Sequence, residues 1–455
     1  MSVVKRKKMR SLMIILEKAK RLLEEYALCD HCLGRQFALL GHGFTNDERG
    51  EAIKQLLVLE SCELVLNGKE DARSTLQLIA TNGFSKVAAE TLKEIGGEVK
   101  EGERRCYLCQ GVFDAIDALA RDVTETLSGF EFESFLIGVK ANESVENRED
   151  ELRAKFNIKW GESIRCELSR EIGKRVSQIT NKSVNYERPD ILVLMDPFVN
   201  IVRLQVNSLF IAGRYRKLVR GIPQTKWICK NCRGRGCAIC NWTGKMYQES
   251  VEELIAEPLL EITGGVSAKF HGAGREDVDA RVLGSGRPFV VEVKSPKKRL
   301  MDLREVEMKI NQHAQKKVKV SDLKFSSKDS VKKIKAEGQA EKLYKVTVEF
   351  ERGISDDELT KLEQELSGQV VQQLTPLRVL PRRSEKVREK RIYEARVQRK
   401  RQKRIEILIR SQGGLYIKEL VTGDQGRTTP NISQIVGTQA KCVELDVLDV
   451  HVEGC

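Results

Sequence analysis

The stretch HGAGREDVDARVLGSGRPFVVEV, residues 271–293, decides how the C-terminal half of this chain is interpreted. Between Gly272 and Gly284 it holds three carboxylates and two arginines, and the run PFVVEV that follows predicts a strand. A carboxylate beside fixed cations stays ionised and can act as a nucleophile or a base near neutral pH. The segment therefore predicts a catalytic loop, and a charged hairpin with only a structural role is the alternative.

Composition sets the broad class of the protein. The chain has 455 residues, which predicts two to four domains at roughly 100–200 residues each. Lys and Arg number 79 against 66 Asp and Glu, a formal charge of +13, and 40% of the residues are hydrophobic, as in a globular protein. No apolar run approaches the roughly 20 residues that span a bilayer, and the N-terminal segment is charged too soon for a secretion signal. We expect a cytoplasmic protein with no membrane partner.

Hydrophobic periodicity divides the chain into regions. Residues 1–128 are predicted to be helical, and the pair Thr45 and Glu48 is a capping-box pattern that opens a helix ending at Asn67. Strand patterns begin at residue 129, so we expect an α+β RNA-docking module over 129–224. A cysteine-rich knuckle covers 225–248, and residues 249–455 alternate strands and helices. The predicted fold class is α+β.

Eight of the twelve cysteines form four C-x-x-C pairs, a spacing typical of zinc ligands in a reducing compartment. The predicted metal ligands are Cys29, Cys32, Cys106, Cys109, Cys229, Cys232, Cys237 and Cys240. The first four share one ion only if the 73 residues between Cys32 and Cys106 fold back. The last four lie within twelve residues, where two glycines permit a tight reversal. Free or redox-active thiols are the alternative. Neither set leaves an open coordination position, so structural zinc is favoured over catalytic zinc.

Positive charge concentrates in two places. The basic run, residues 382–404, carries twelve Lys or Arg and three Glu, and the basic segment RYRKLVR, residues 214–220, places an aromatic residue among cations. Such clusters attract polyphosphate, although a solvated, partly helical face is the alternative for the run. The predicted RNA contacts are Arg214, Arg216, Lys217, Arg220, Arg382, Arg383, Arg396, Arg399, Lys400 and Arg401.

Nucleotide-binding motifs are absent from the sequence. No G-x-x-x-x-G-K-[ST] occurs, and no G-x-G-x-x-G follows a predicted strand. The sequence Gly284-Ser285-Gly286 is followed by Arg287-Pro288, which cannot open a helix as a dinucleotide loop must. No nucleotide cofactor is expected.

The run GRED, residues 274–277, resembles the G-R-x-D motif of pseudouridine synthases. The longer run GREDVDARVLGSGRPFVVE resembles the synthase family of archaea and eukaryotes that isomerises uridines 54 and 55 in the TΨC arm of tRNA. The resemblance continues in GRYRKLVRGIPQTKW (213–227), TPLRVLPRR (375–383) and YIKELVTGDQGRTTPNI (416–432). Leu380-Pro381 departs from the family, where a His is common, so that position is given no role.

The N-terminal half also resembles that family. The first cysteine pairs and the α+β unit resemble its zinc-bearing accessory domain with a THUMP RNA-binding module, which would begin either at 129 or near 70. The compact four-cysteine cluster resembles the archaeal branch. The resemblance implies a catalytic domain with a mixed, mainly antiparallel sheet and helices. It also implies tRNA as partner, no cofactor for catalysis, zinc with a structural role only, and a monomer.

The resemblance also assigns residues to the reaction. Asp277 would attack or deprotonate the nucleoside after the base has left its stack, and Asp279 is the rival. The resemblance implies substrate contacts for five further residues: Tyr344, Tyr416, Lys418, Leu420 and Arg275. Among these, Lys418 would also pair with Asp277, and Leu420 would form an apolar wall. For the two tyrosines, a plain core position is the alternative.

Two other classes of protein remain open on the sequence. One is a zinc-stabilised protein that binds tRNA or rRNA without catalysis, in which the carboxylate loop is structural. The other is a different THUMP-bearing enzyme, for thiolation or methylation, although such enzymes need a nucleotide loop or an S-adenosylmethionine site. Formation of pseudouridine in an unmodified tRNA transcript distinguishes the three.

Overall fold

The computed structural model of the chain describes residues 3–69, 71–99, 105–336 and 340–450. The chain divides into two compact units, Met1–Val206 and Asn207–Cys455, and each has its own buried apolar core. Among the described residues, no helix is both long enough and apolar enough to cross a membrane.

The first unit consists of helices followed by a small sheet. Its helices are α1 (Val3–Glu25), α2 (Asp30–Gly34), α3 (Asn46–Leu66), α4 (Asp71–Thr81), α5 (Lys86–Glu94), α6 (Ile116–Leu127), α7 (Glu143–Phe156) and α8 (Ile164–Thr180). Its strands are β1 (Ser134–Val139), β2 (Ser183–Val184), β3 (Ile191–Asp196) and β4 (Ile201–Val206). The strand order is β2-β1-β3-β4, with β1 parallel to β2 and β3, and β4 antiparallel to β3.

The second unit is built on a ten-stranded sheet. Its strands are β5 (Leu209–Lys217), β6 (Ser267–Gly272), β7 (Arg281–Lys294), β8 (Val318–Ser326), β9 (Lys342–Phe350), β10 (Val370–Leu374), β11 (Val387–Arg401), β12 (Arg404–Ser411), β13 (Thr428–Thr429) and β14 (Ala440–Val450). Its helices are α9 (Val251–Thr263), α10 (Leu303–His313), α11 (Lys328–Ala336), α12 (Asp356–Leu366), α13 (Ile417–Thr422) and α14 (Ile432–Val436).

The sheet of the second unit has the order β13-β10-β11-β12-β9-β14-β7-β5-β8, with β6 paired to β7. The β14–β7 pair is parallel, and the other described pairs are antiparallel. In β9, alternate residues from Lys342 to Phe350 are buried, because successive side chains point to opposite faces of a strand. The predicted α+β class, with a mixed and mainly antiparallel sheet, is confirmed.

Several predicted elements lie where the sequence places them. The backbone N–H of Thr45 donates to a Glu48 carboxylate oxygen at 2.8 Å, as a capping box requires, and α3 ends at Leu66. Gly284 to Gly286 lie inside β7, as expected for a stretch that cannot open a helix.

One expectation needs correction. The sequence assigns residues 207–224 to the RNA-docking module, but β5 pairs with β7 and β8, so this stretch belongs to the second unit. The structure also bears on the alternative of a partly helical basic run: from Val387 onward the run is extended, and β11 and β12 form a hairpin in which Arg401 pairs with Arg404. Pairing of β12 with β9 fixes the extended backbone there, and a distant partner strand is not visible in local composition.

Candidate active site

Asp277 lies in the loop between β6 and β7, and its carboxylate sits between two cations. Arg378 Nη1 donates to Asp277 Oδ1 at 2.9 Å, and Lys418 Nζ lies 3.3 Å from Asp277 Oδ2. The Asp277 side chain remains 31% exposed, so a substrate atom can reach it. Two cations at these distances stabilise a carboxylate that must be ionised to act as a nucleophile or a base.

Glu419 holds Arg378 in place. Arg378 Nε donates to Glu419 Oε1 at 2.6 Å, and Nη2 donates to Oε2 at 3.3 Å, while the Glu419 side chain is only 5% exposed. Burial acts to lower the pKa of Arg378, but the carboxylates of Glu419 and Asp277 raise it above its ordinary value. The guanidinium is therefore a fixed positive charge, oriented from behind by Glu419.

Lys418, on α13, contacts both candidate carboxylates. Its ammonium lies 2.7 Å from both carboxylate oxygens of Asp279, closer than to Asp277. Burial acts against the charged form of Lys418, but Asp279 and Asp277 raise its pKa. The implied pairing of Lys418 with Asp277 is present, and the ion is shared with the rival Asp279, whose side chain is 66% exposed.

The two tyrosines named by the resemblance differ in exposure. Tyr344, on the buried face of β9, is 8% exposed, and burial raises its pKa to about 12, with Arg287 opposing the rise and Asp277 adding to it. Tyr416 precedes α13 and is half-buried, and its hydroxyl accepts a hydrogen bond from Arg383 Nη1 at 3.1 Å. Arg383, predicted from its charge to contact RNA, thus lies beside a predicted substrate contact.

Two other predicted substrate contacts have different surroundings. Leu420 is fully buried in the core of the second unit. Arg275 is exposed, with its guanidinium carbon 5.3 Å from the ring centroid of Trp227 in a cation–π contact. A role as an apolar wall remains a prediction for Leu420, and direct contact with substrate remains a prediction for Arg275.

Lys217 binds the chain's own backbone next to Asp277. It is fully buried at the end of β5, and its ammonium donates to the carbonyl oxygens of Ile222, Asp277 and Val278 at 2.9, 3.0 and 3.0 Å. Burial lowers its pKa to about 8, with the charge of Glu276 opposing the fall. The prediction that Lys217 contacts RNA is wrong, because its ammonium is inaccessible and all three of its donors are used.

Other cations of the basic segment are bound in the same way. Arg220 donates to the carbonyl oxygen of Asp279 at 2.7 Å, and Arg214 donates to that of Ser285 at 2.8 Å. These guanidinium groups satisfy carbonyl oxygens of the loop and of β7. Both side chains are only half-buried, so RNA contact remains a prediction for them. Arg216 is half-exposed, and RNA contact remains a prediction for it.

A buried polar network holds the residue that precedes Asp277. The Glu276 carboxylate lies 3.0 Å from Arg287 Nε and accepts hydrogen bonds from the Tyr215 hydroxyl at 2.8 Å and from Gln224 Nε2 at 3.2 Å. Arg287 also donates to the carbonyl oxygen of Ala273 at 2.7 Å. The loop is therefore fixed on both sides of its catalytic candidate by groups with almost no exposure to solvent.

The five remaining predicted RNA contacts of the basic run lie on the β11–β12 hairpin or before it. Arg401 is exposed, and the side chain of Arg382 lies outside the described residues. The three others pair with acidic side chains: Arg396 with Glu394 at 2.6 Å, Arg399 with Asp356 at 3.2 Å, and Lys400 with Glu406 at 3.5 Å. These pairs are largely exposed, where ion pairs are weak enough to exchange for phosphate.

Each predicted cysteine set converges in the structure. Within each set of four, the sulfurs all lie within 4.8 Å of one another, and the closest pairs are Cys29–Cys109 and Cys237–Cys240, both at 3.7 Å. Four sulfurs about 2.3 Å from a tetrahedral zinc would lie roughly 3.8 Å apart, so both sets could hold a metal ion. Gly236, at a φ of +93°, lets its N–H donate to Cys232 Sγ at 3.2 Å.

Sequence reasoning missed two residues of the carboxylate site. Arg378 lies inside the quoted run TPLRVLPRR and Glu419 inside YIKELV, yet neither received a role. A search of those two runs for a fixed cation to neutralise Asp277, and for an acid to hold that cation, would have found both. Arg287 and Glu276 carry a weaker signal, because buried ion pairs are not visible in local sequence.

Family comparisons identify the class of protein. Residues 210–451 match the model described as "Pus10, C-terminal", and residues 119–196 match that described as "Pus10 THUMP domain, archaeal". The chain is a pseudouridine synthase with a THUMP domain, which confirms the resemblance found in the sequence.

Curated relatives agree over nearly the whole length. Proteins named "tRNA pseudouridine synthase Pus10" are 42% identical in Methanocaldococcus jannaschii, with 94% of this chain and 93% of that protein covered, and 41% identical in Methanothermobacter marburgensis, with 93% and 95% covered. One from Thermofilum pendens is 38% identical, with 96% and 95% covered. The chain belongs to the archaeal Pus10 family.

Proposed function

We propose that this chain converts uridine 54, uridine 55 or both in the TΨC loop of tRNA to pseudouridine, with Asp277 as the nucleophile or base. The observation that carries the proposal is the half-exposed Asp277 carboxylate between Arg378 and Lys418. The curated names of the relatives, tRNA pseudouridine synthase, support tRNA as the substrate.

The reaction is an isomerisation. The C1′–N1 bond breaks, the uracil turns, C5 bonds to C1′, and the proton on C5 leaves while N1 gains one, so no oxidant or reductant is consumed. Asp277 would supply its lone pair to the nucleoside, at C6 or C1′, or would remove a proton. Arg378 and Lys418, through their ion pairs with Asp277, would orient the carboxylate before that step.

The target uridine must leave its stack before it can meet the aspartate, and the site offers surfaces for the flipped base. The ring of Tyr344 would pack against the uracil, and its hydroxyl, whose pKa is raised to about 12 by burial, would stay protonated near neutral pH. Tyr416, whose hydroxyl is bonded to Arg383, would contact the nucleotide beside it.

Contacts with the tRNA backbone would come from the β11–β12 hairpin and from the THUMP domain. The exposed Arg401 and the surface ion pairs of Arg396, Arg399 and Lys400 can turn toward phosphate at little cost. In the first unit, β1 and α8 line a cleft of about 1020 Å³ in which Arg165 and Arg170 pair with Glu146 and Glu162. Because the cations of this cleft are balanced by carboxylates, the THUMP domain would recognise the tRNA body by its shape more than by its charge.

Both cysteine sets would hold structural zinc. Neither set contributes to the carboxylate site, and four thiolates leave no open position for substrate or water, so the ions would stabilise the fold without entering the reaction. Metal analysis of the purified protein should give about two zinc ions per chain. A Cys232→Ser, Cys237→Ser variant should give about one, and an unchanged value near two would contradict the assignment of the second set.

The proposed activity is tested with an unmodified tRNA transcript and with transcripts carrying cytidine at position 54 or 55. Pseudouridine should form in the TΨC loop of the first transcript, and each cytidine should remove it only at the replaced position. A transcript that is bound tightly but left unchanged would contradict the proposal and favour a protein that binds RNA without catalysis.

A further inference from the structure

Helix α11 presents an exposed face of lysines. Its apolar residues Val331 and Ile334 are buried in a small core with Ala212 and Val290. The lysines that project away from that core recur at helical spacing and are exposed: Lys328, Lys332 and Lys335. The spacing of four and three residues places them along one side of the helix.

The positive charge of this region is poorly compensated. Residues 316–335 contain eight lysines and two aspartates. Lys332 lies 3.7 Å from Asp329, but within the described part of the chain Lys324, Lys328, Lys333 and Lys335 form no ion pair. On the β11–β12 hairpin, by contrast, Arg396, Arg399 and Lys400 each have an acidic partner.

A cleft lies beside the lysine face, between α11, β5 and β8. It has a volume of about 440 Å³, and its polar lining is Arg214, Asp322, Lys324, Ser326, Ser330 and Lys333. Lys324 and Lys333, with the hydroxyls of Ser326 and Ser330, can donate hydrogen bonds to a phosphodiester, against the single carboxylate of Asp322.

We propose that α11 and this cleft, here called the α11 surface, form a second RNA-backbone site that binds the substrate at a distance from the isomerised uridine. The inference rests on the proposed function, because it takes the substrate to be tRNA. Lysines bind phosphates as point charges without reading sequence, so the surface contributes affinity and positioning for any tRNA.

The position of β8 in the sheet separates this surface from the hairpin. Six strand spacings lie between β11 and β8, roughly 29 Å at about 4.8 Å per spacing. Backbone contacts that far apart must involve different segments of the tRNA. Losses of affinity caused by substitutions at the two surfaces should therefore add in free energy.

The test is filter binding of a full-length tRNA transcript by the intact chain at several salt concentrations. The variant is Lys328→Gln, Lys332→Gln, Lys335→Gln, and the matched control removes three exposed lysines of the same unit: Lys309→Gln, Lys361→Gln, Lys441→Gln. The α11 variant should bind about tenfold more weakly, with a log–log salt slope shallower by up to about 0.7–0.9 for each phosphate that is no longer neutralised. The control should stay within about twofold of the wild type.

Each outcome decides the proposal. Equal weakening in both variants would show an effect of net charge alone, and unchanged binding in the α11 variant would show a solvated helix; either result overturns it. The single-turnover rate on bound tRNA should stay within about threefold. If wild-type protein binds tRNA through α11 but forms no pseudouridine, the proposed function fails while this inference stands.

Discussion

The two basic clusters of this chain have opposite environments. In the basic segment at 214–220, the Lys217 ammonium is fully buried and bonded to three backbone carbonyl oxygens, two of them from Asp277 and Val278. On the β11–β12 hairpin, Arg396 and Lys400 pair with carboxylates at the surface, and Arg399 and Lys403 also donate to single backbone carbonyl oxygens, but none of these four cations is fully buried. The comparison shows that a cluster of cations does not by itself indicate RNA binding.

What distinguishes the clusters is the supply of backbone acceptors. The loop that carries Asp277 has few ladder hydrogen bonds, so its carbonyl oxygens need donors. Lys217, at the end of β5, and Arg220, just after it, supply them from about sixty residues earlier in the chain. The hairpin satisfies its own backbone through β10, β12 and β9, which leaves its cations free for solvent or phosphate. We therefore propose that the first cluster positions the loop that carries Asp277 and that the second contacts substrate.

The comparison predicts a large catalytic effect from Lys217→Met. Loss of three donors leaves buried carbonyl oxygens unsatisfied and shifts the loop, and a displacement near 1 Å can cost about 100-fold in rate. The single-turnover rate at saturating protein should fall by about that factor, while tRNA affinity stays within about threefold. Arg214→Gln, in the same segment but bonded to Ser285, is the control and should keep most of the rate. If Lys217→Met weakened tRNA binding but left the single-turnover rate unchanged, the roles given to the two clusters would be wrong.

The hairpin should show the opposite pattern with a smaller effect. Replacing Arg396, Arg399, Lys400 and Arg401 together by Gln should weaken binding of all tRNAs by about tenfold and make the salt dependence shallower. Chemistry on bound tRNA should change less than about threefold, because these side chains lie outside the Asp277 ion pairs. Filter binding at several salt concentrations measures the first effect, and an unchanged salt slope would mean that the hairpin is only a solvated surface.

A pH profile tests the charge of Lys217 and should show the smallest effect. Its folded-state pKa of about 8 lies below the ordinary value, so the ammonium is present below pH 8 and is lost as the pH rises through 8. A neutral amine has two donors for three carbonyl oxygens, so the single-turnover rate should fall severalfold on the alkaline side. Lys217→Arg keeps its charge and should lack this decline. The same decline in both proteins would assign it to another group.

Local sequence was sufficient for much of the fold and for part of the site. The pair Thr45 and Glu48 marks the start of α3, and the C-x-x-C spacing identifies both cysteine sets that could hold a metal, because these signals lie within a few residues. The G-R-x-D run led to Asp277. Helix α7 was missed, since its hydrophobic face is weakly patterned around several charged residues.

What the sequence could not provide were contacts between distant segments. The partners of Asp277 are Arg378 and Lys418, more than 100 positions away in the chain. Only the fold shows that Arg378 bonds Glu419 and Asp277 at the same time. Burial of Lys217 depends in the same way on β7 and β8 on either side of β5. Exposure of a charged side chain is a property of the tertiary structure. The charge pattern alone therefore predicted Lys217 to be exposed and in contact with RNA, although it is buried.

The most direct test of the central claim uses tRNA transcripts made with uridine tritiated at C5, since isomerisation releases that hydrogen to solvent. Wild-type protein should release tritium equivalent to one or two uridines per tRNA. Asp277→Asn keeps the shape of the side chain but removes its charge, so it should release none while binding tRNA within a few-fold of wild type. Asp279→Asn should retain substantial release. Release by the Asp277 variant at the wild-type rate, or activity lost only in the Asp279 variant, would contradict the assignment of Asp277 as the catalytic residue.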